Sequence, residues 1–265
     1  MTSLSLPVCL NPHLSLLTSH LLKKHIPNAI TCCNLISGCV AVVFAVYGFF
    51  VLALWAIIVG AVFDFFDGMS ARLLGVSSPI GKELDSLADV VTFGVAPSAM
   101  LFRLLANLNG MYQVVMDEGT LNDIVSTVLS YTPFLAFLMA AFSALRLAKF
   151  NLDERQTMGF IGLPTPANAL FWGSLIVGWG PKIAFSPAIM PILFVLMLLS
   201  CYLLVSEIPM FALKFKTWGW KGNEVKWIFL ATCLPLLILF GIGALAIIIA
   251  WYLILSVATQ RHTAK

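Results

Sequence analysis

Residues 49–72 read FFVLALWAIIVGAVFDFFDGMSAR: an unbroken apolar run from Phe49 to Phe63, followed within the same helical length by Asp64, Asp67 and Arg72. A stretch of about 20 predominantly apolar residues spans a hydrocarbon core of about 30 Å as an α-helix. This segment therefore reads as a membrane helix with carboxylates set inside it. Similar runs recur from Ile26 to Val257. The whole chain of 265 residues is 60% hydrophobic and 10% charged, against about 25% charged in an ordinary soluble domain. The expected fold class is all-α, a polytopic transmembrane helical bundle in a lipid bilayer. The predicted spans are 27–46, 49–72, 82–105, 128–148, 161–179, 188–206, 226–240 and 243–258, about eight in all, with both termini cytoplasmic. The expected division is a cytoplasmic tail or surface helix over 1–25, one transmembrane domain over 26–258 and a cytoplasmic tail over 259–265. The turn at Gly241-Ile-Gly243 is the ambiguous boundary, because Trp227–Phe240 is short for a span and the two segments could form one bent helix.

The net charge is only +3, but cytoplasmic loops of membrane proteins collect Lys and Arg. With eight spans, Lys23, Lys24, Arg72, Lys82, Arg146, Lys149, Arg155, Lys214, Lys216, Lys221, Lys226, Arg261 and Lys265 fall on one face, and Arg103 and Lys182 opposite. The rich face reads as cytoplasmic. Trp218 and Trp220 among the lysines read as an interfacial belt. Nothing points to nucleic acid. The cysteines at 9, 32, 33, 39, 201 and 233 form neither a CxxC pair nor a Cys/His cluster, which argues against zinc and for small apolar packing residues.

The second and third predicted spans hold Asp64, Asp67, Asp85 and Asp89. Each would cost at least about 2.5 kcal/mol in lipid without compensation. Asp64 and Asp67 are three apart, Asp85 and Asp89 four apart, so each pair occupies one helix face. A short turn through Gly75–Pro79 joins the two helices antiparallel, and the faces can meet at similar depth. Four converging carboxylates need cations between them. An all-oxygen set without His or Cys favours a hard ion, Mg2+ or Mn2+, with positions left for phosphate and water. Structural pairing with Arg72 and Lys82, or an ion relay of the kind carriers use, are the competing readings. Gly68 and Ala71 beside Asp67, and Gly81 before Asp85, permit either close helix packing or close approach of a nucleotide.

The spacing Asp64-x2-Asp67-Gly68-x2-Ala71-Arg72-x8-Gly81-x3-Asp85-x3-Asp89 resembles the signature of the CDP-alcohol phosphotransferase family at every fixed position. The resemblance implies a site for two divalent ions built by the four aspartates, CDP-diacylglycerol held by Asn28, Thr31, Asp64, Gly68, Ala71, Arg72 and Gly81, Asp89 as general base, and a homodimer. Within the family, Ile26-Pro27-Asn28-x2-Thr31-x2-Asn34-x3-Gly38, Asp89-Val-Val-Thr92-Phe93-Gly94, Leu145-Arg146-Leu-Ala-Lys149-Phe150-Asn151 and Phe160-x-Gly162-Leu163-Pro164-x-Pro166 are similar to the membrane-embedded phosphatidylserine synthases. They imply L-serine as acceptor, in an inner membrane with the site facing the cytoplasm. Lys149 stands where those relatives often carry Arg, and Thr92 where they often carry Ser. Arg146, able to grip a carboxylate with a planar fork, is the expected acceptor-binding residue. Alternatives are a sister enzyme that uses glycerol 3-phosphate or inositol phosphate, and a cation carrier.

Overall fold

The computed structural model describes residues 12–76, 78–116, 130–152, 160–183, 189–210, 219 and 223–263. The described part is helical apart from one two-residue strand pair. Its elements are α1 (Pro12–Val46), α2 (Phe50–Leu74), α3 (Pro79–Asp89), a π-helical segment (Val90–Val95), α4 (Ala96–Met116), a 3-10 turn (Thr132–Phe137) leading into α5 (Leu138–Leu152), β1 (Phe160–Ile161), α6 (Thr165–Ile183), α7 (Met190–Val205), β2 (Pro209–Met210), α8 (Glu224–Phe240), a 3-10 turn (Gly241–Gly243) and α9 (Ala244–Thr263). No helix break falls at residue 25/26 or at 258/259, where tails were expected to begin.

Five segments among the described residues are long and apolar enough to cross a membrane: His25–Val46, Phe50–Leu74, Pro79–Gly110, Thr132–Leu152 and Glu224–Ala258. Met190–Val205 is apolar but shorter. Outward-facing side chains such as Val51, Trp55, Val62, Phe65, Ile192, Val195 and Ile238 are exposed and apolar, as expected of helices solvated by lipid. The last segment is folded in two. Gly241 takes φ 55°, a conformation open to glycine at little cost, and the Phe229 and Tyr252 rings lie 5.9 Å apart, so α8 and α9 run back along each other as a hairpin. This hairpin docks on α6 at a glycine contact. A Cβ on Gly178 would sit 2.8 Å from the backbone nitrogen of Gly243, so only two glycines permit that approach.

The buried core runs between α1, α2, α4, α6 and α7, with Ala45, Leu54, Met100, Leu101, Trp172 and Met197 among its members. Small residues bring the backbones together where the carboxylates lie. A Cβ on Gly38 would fall 2.8 Å from Thr92 Cα, and one on Gly60 would fall 3.0 Å from Asn34 Oδ1. Thr92 Oγ1 also donates to the Asn34 carbonyl at 3.1 Å. The π-helical segment thus seats directly on α1 and α2, immediately after Asp89. Such π segments recur at functional positions in helices.

Two chain reversals set the height of the site. Gly75 closes α2 at φ 62°, its N–H turned back to the carbonyls of Ala71 and Arg72, and Ser78 caps α3 by accepting from the Gly81 N–H, with Pro79 at the first helical turn. Gly162 (φ 73°) donates to the Ile208 carbonyl at 2.9 Å and Leu163 to Leu203 at 3.0 Å, which ties the start of α6 to the end of α7. The cysteine expectation is corrected in part. Cys201 is buried in the core, but Cys32, Cys33 and Cys39 face outward as free thiols, because no helix among the described residues covers their face of α1.

Candidate functional site

Asp64 and Asp67 on α2 meet Asp85 on α3 so closely that one carboxylate oxygen from each lies within 4.8 Å of the others. The i, i+3 and i, i+4 spacings permit this, and the turn at Gly75 with the Ser78 cap delivers it. Asp64 is also within hydrogen-bonding reach of Asp89, one turn beyond Asp85. Phe65 and Phe66 point away to the lipid-facing side, so α2 presents acid to the bundle and aromatic rings outward.

Two residues of α1 hold the inner carboxylates. Thr31 Oγ1 lies 2.6 Å from Asp67 Oδ2 and 3.0 Å from the Pro27 carbonyl. A hydroxyl has one proton to donate, and the shorter, charge-assisted partner takes it. Asn34 Nδ2 donates to Asp89 Oδ1 at 3.2 Å. The role of Asn34 was missed in the sequence, where it stood as a motif position without a function. An Asn one turn from Thr31, on the same face, was the available signal.

The opposing bases do not neutralise the acids. Arg72 Nε donates to the Gly68 carbonyl and Lys82 Nζ to the Asn151 carbonyl, both exposed. The reading in which Arg72 and Lys82 pair with the aspartates therefore fails here. Asp85 Oδ1 is buried without a hydrogen-bond partner. Converging oxygen-only donors that no Arg or Lys among the described residues neutralises fit a hard divalent cation.

A cavity of about 270 Å3 opens against this cluster, lined by Pro27, Asn28, Thr31, Asp67, Gly68, Ala71, Val76, Ser78, Gly81, Lys82 and Asp85. Of the residues expected around a nucleotide, Asn28, Thr31, Gly68, Ala71 and Gly81 line it. Asp64 and Arg72 do not line it: Asp64 belongs to the carboxylate group, and Arg72 is exposed. The two glycines separate by role. A Cβ on Gly68 would meet nothing within 4 Å, so its missing side chain leaves open space for a ligand. A Cβ on Gly81 would come 2.9 Å from both Asn28 Oδ1 and Ser78 Oγ, so there the absence serves packing. Lys82 and Ser78 are wall residues to which the sequence reading gave no site role.

Arg146 of α5 is buried, 8% exposed. Asp89 is the carboxylate whose charge reaches it. Its guanidinium donates one long bond, Nη1 to Thr165 Oγ1 at 3.4 Å, and lies over the Phe150 ring at 5.4 Å. Lys149 is exposed. Arg155, Lys214, Lys216, Lys221, Trp218 and Trp220 lie outside the described residues.

A bundle of membrane-length helices with carboxylates gathered beside a cavity defines an integral membrane protein with a cation-type acidic centre. The model of the CDP-alcohol phosphatidyltransferase family matches residues 24–204, and the chain belongs to that family. Relatives named CDP-diacylglycerol–serine O-phosphatidyltransferase include one from Bacillus subtilis, 37% identical over 147 residues, covering 54% of this chain and 70% of the relative. Another, from Helicobacter pylori, is 34% identical over 146 residues and covers 54% of each chain. The Saccharomyces cerevisiae protein is 44% identical over 119 residues, covering 42% of this chain and 36% of its own length. The match thus spans only about half or less of the Helicobacter and yeast relatives.

Proposed function

We propose that this protein transfers the phosphatidyl group of CDP-diacylglycerol to the hydroxyl of L-serine, giving phosphatidylserine and CMP. The observation that carries the reading is the convergence of Asp64, Asp67 and Asp85 at the wall of a cavity that Asn28, Thr31, Gly68, Ala71 and Gly81 also line, in a chain whose relatives are named for this reaction.

In this reading Asp64, Asp67, Asp85 and Asp89 hold two Mg2+ or Mn2+ ions. When bound, the ions neutralise the pyrophosphate and the charge that develops on the phosphoryl oxygens. Thr31 and Asn34 orient the carboxylates. The open flank at Gly68 lets the nucleotide approach the backbone, and Arg72 swings toward phosphate oxygens. Asp89 takes the proton of the serine hydroxyl. The freed oxygen attacks the phosphorus joined to diacylglycerol, the bond from that phosphorus to the oxygen of the CMP phosphate breaks, and CMP leaves with the electron pair. Arg146 grips the serine carboxylate.

Hydropathy and the charge pattern support a chain that crosses the inner membrane eight times with termini and site toward the cytoplasm, and the family resemblance supports a homodimer. Mass measurement in detergent that finds only monomer would remove the dimer from this reading.

The test is an acceptor panel: purified protein, CDP-diacylglycerol, and serine, glycerol 3-phosphate or inositol phosphate in turn, with CMP release followed. Release with serine alone is expected. A phosphorylated acceptor would need further cations for its second phosphate, and release with glycerol 3-phosphate or inositol phosphate but none with serine overturns the assignment.

A further inference from the structure

Asn168 of α6 is fully buried, and both its amide nitrogen and its amide oxygen lack a hydrogen-bond partner. A buried carboxamide left wholly unpaired is costly, and native proteins pair such groups with protein, water or ligand. An apolar residue of the same size would be the stabler choice if the position only filled space.

The surroundings say what the amide is for. Asn168 follows Thr165 by three residues and shares its helix face. Thr165 is fully buried and accepts from Arg146. Among the described residues Arg146 in turn makes only that one hydrogen bond and keeps further N–H groups to give. The loop that starts α6 is fixed to α7 by the Gly162 and Leu163 bonds, so this face is held in place. A hydroxyl and a carboxamide with both ends unused therefore stand on consecutive turns of α6, and the hydroxyl meets a guanidinium that has spare donors and lies within reach of the Asp89 charge.

We infer that Asn168 is a specificity-determining residue of the acceptor site, completing with Arg146 and Thr165 a pocket that recognises the α-amino acid portion of serine. This rests on the proposed serine reaction. The Arg146 fork meets the carboxylate, the Asn168 Oδ1 accepts from the α-ammonium, and the Asn168 Nδ2 donates to the carboxylate. The remaining point of contact is the hydroxyl, presented to Asp89. An alcohol lacking the ammonium leaves the Asn168 oxygen unpaired, which is how a buried polar site rejects a near-isostere.

The test compares wild type with Asn168→Leu, which is close in size, and Asn168→Ser, which is smaller and polar, in saturation curves for serine and for CDP-diacylglycerol alongside thermal melts. In the variants the serine KM rises about 10-fold or more, as for loss of a hydrogen bond to a charged group, while the KM for CDP-diacylglycerol stays within about 2-fold. Because no protein hydrogen bond is lost, Asn168→Leu melts at or above the wild-type temperature. The variants also lose preference for L-serine over 3-hydroxypropionate, which keeps the hydroxyl and carboxylate but has only hydrogen in place of the ammonium. Wild-type serine saturation in both variants, or an equal rise in both KM values, overturns the assignment of Asn168 while leaving the serine reaction standing. A wild type that releases no CMP with serine overturns the underlying reaction and this inference with it. If Asn168→Leu melts below wild type, Asn168→Ser decides by the same split.

Discussion

The Thr31 hydroxyl lies 2.6 Å from Asp67 Oδ2, and this one bond links the start of the first membrane segment to the carboxylate at the wall of the cavity. A residue that orients a metal ligand typically changes metal affinity by about 10- to 100-fold when removed. Thr31→Val keeps the shape and removes the donor. It should raise the Mn2+ or Mg2+ concentration needed for half-maximal CMP release by about 10-fold, and Thr31→Ser should restore most of the loss. An unchanged metal dependence in Thr31→Val would detach this hydroxyl from the cation centre.

Metal removal is the broader check on the same centre. Treatment with EDTA should abolish CMP release, and added Mn2+ or Mg2+ should restore it, because the converging oxygens of Asp64, Asp67 and Asp85 cannot face a pyrophosphate without a cation between them. Zinc should restore it poorly, since the donor set holds neither His nor Cys. Full turnover in protein shown by elemental analysis to be metal-free would rule the mechanism out.

What the sequence made legible was whatever depends on spacing along one helix. The i, i+3 pair Asp64/Asp67 and the i, i+4 pair Asp85/Asp89 fixed the acidic faces, and the Gly75–Pro79 punctuation fixed the reversal that brings them together. The doubtful turn at Gly241–Gly243 proved to be a hairpin, as the Phe229–Tyr252 contact shows. Pairings between helices distant in the chain were not legible. Nothing periodic connects Asn34 to Asp89 or Arg146 to Thr165, and no spacing singles out Asn168. The span count is legible only in part: hydropathy places a span at 188–206, but α7 there is 16 residues long, short of the roughly 20 that cross a bilayer, and the spans expected at 226–240 and 243–258 lie in one apolar stretch folded in two.

Gly178 and Gly68 should respond oppositely to the same change. In Gly178→Ala the new methyl meets Gly243 backbone, which cannot rotate away, so the α8–α9 hairpin must shift from α6. Overpacking of this kind typically costs about 1 to 3 kcal/mol, readable as a lower melting temperature in detergent. In Gly68→Ala the methyl enters open space, and the helix gains roughly 0.5 to 1 kcal/mol from losing a glycine. That variant should melt no lower than wild type and yet need more CDP-diacylglycerol for half-saturation. A Gly68→Ala protein with wild-type KM would show that no ligand uses the space.

Asp89 and Asp64 are both carboxylates in the same cluster, but they differ in setting and should fail differently. Asp64 belongs to the group of three whose oxygens converge within 4.8 Å, together with Asp67 and Asp85. Asp89 is the more enclosed, held by Asn34 and facing Arg146, on the side where the acceptor would lie. Asp89→Asn can still accept the Asn34 hydrogen bond through its amide oxygen, so the fold should survive while proton abstraction is lost, a step worth about 10²- to 10⁴-fold. Asp64→Asn should weaken cation binding first. Raising Mn2+ should therefore recover much of the turnover of Asp64→Asn and leave Asp89→Asn slow at saturating metal and CDP-diacylglycerol. Metal affinity must be followed apart from turnover, for example by titration calorimetry. If the two variants lose affinity equally and excess Mn2+ rescues both alike, Asp89 is a ligand only, and the serine proton leaves by another route.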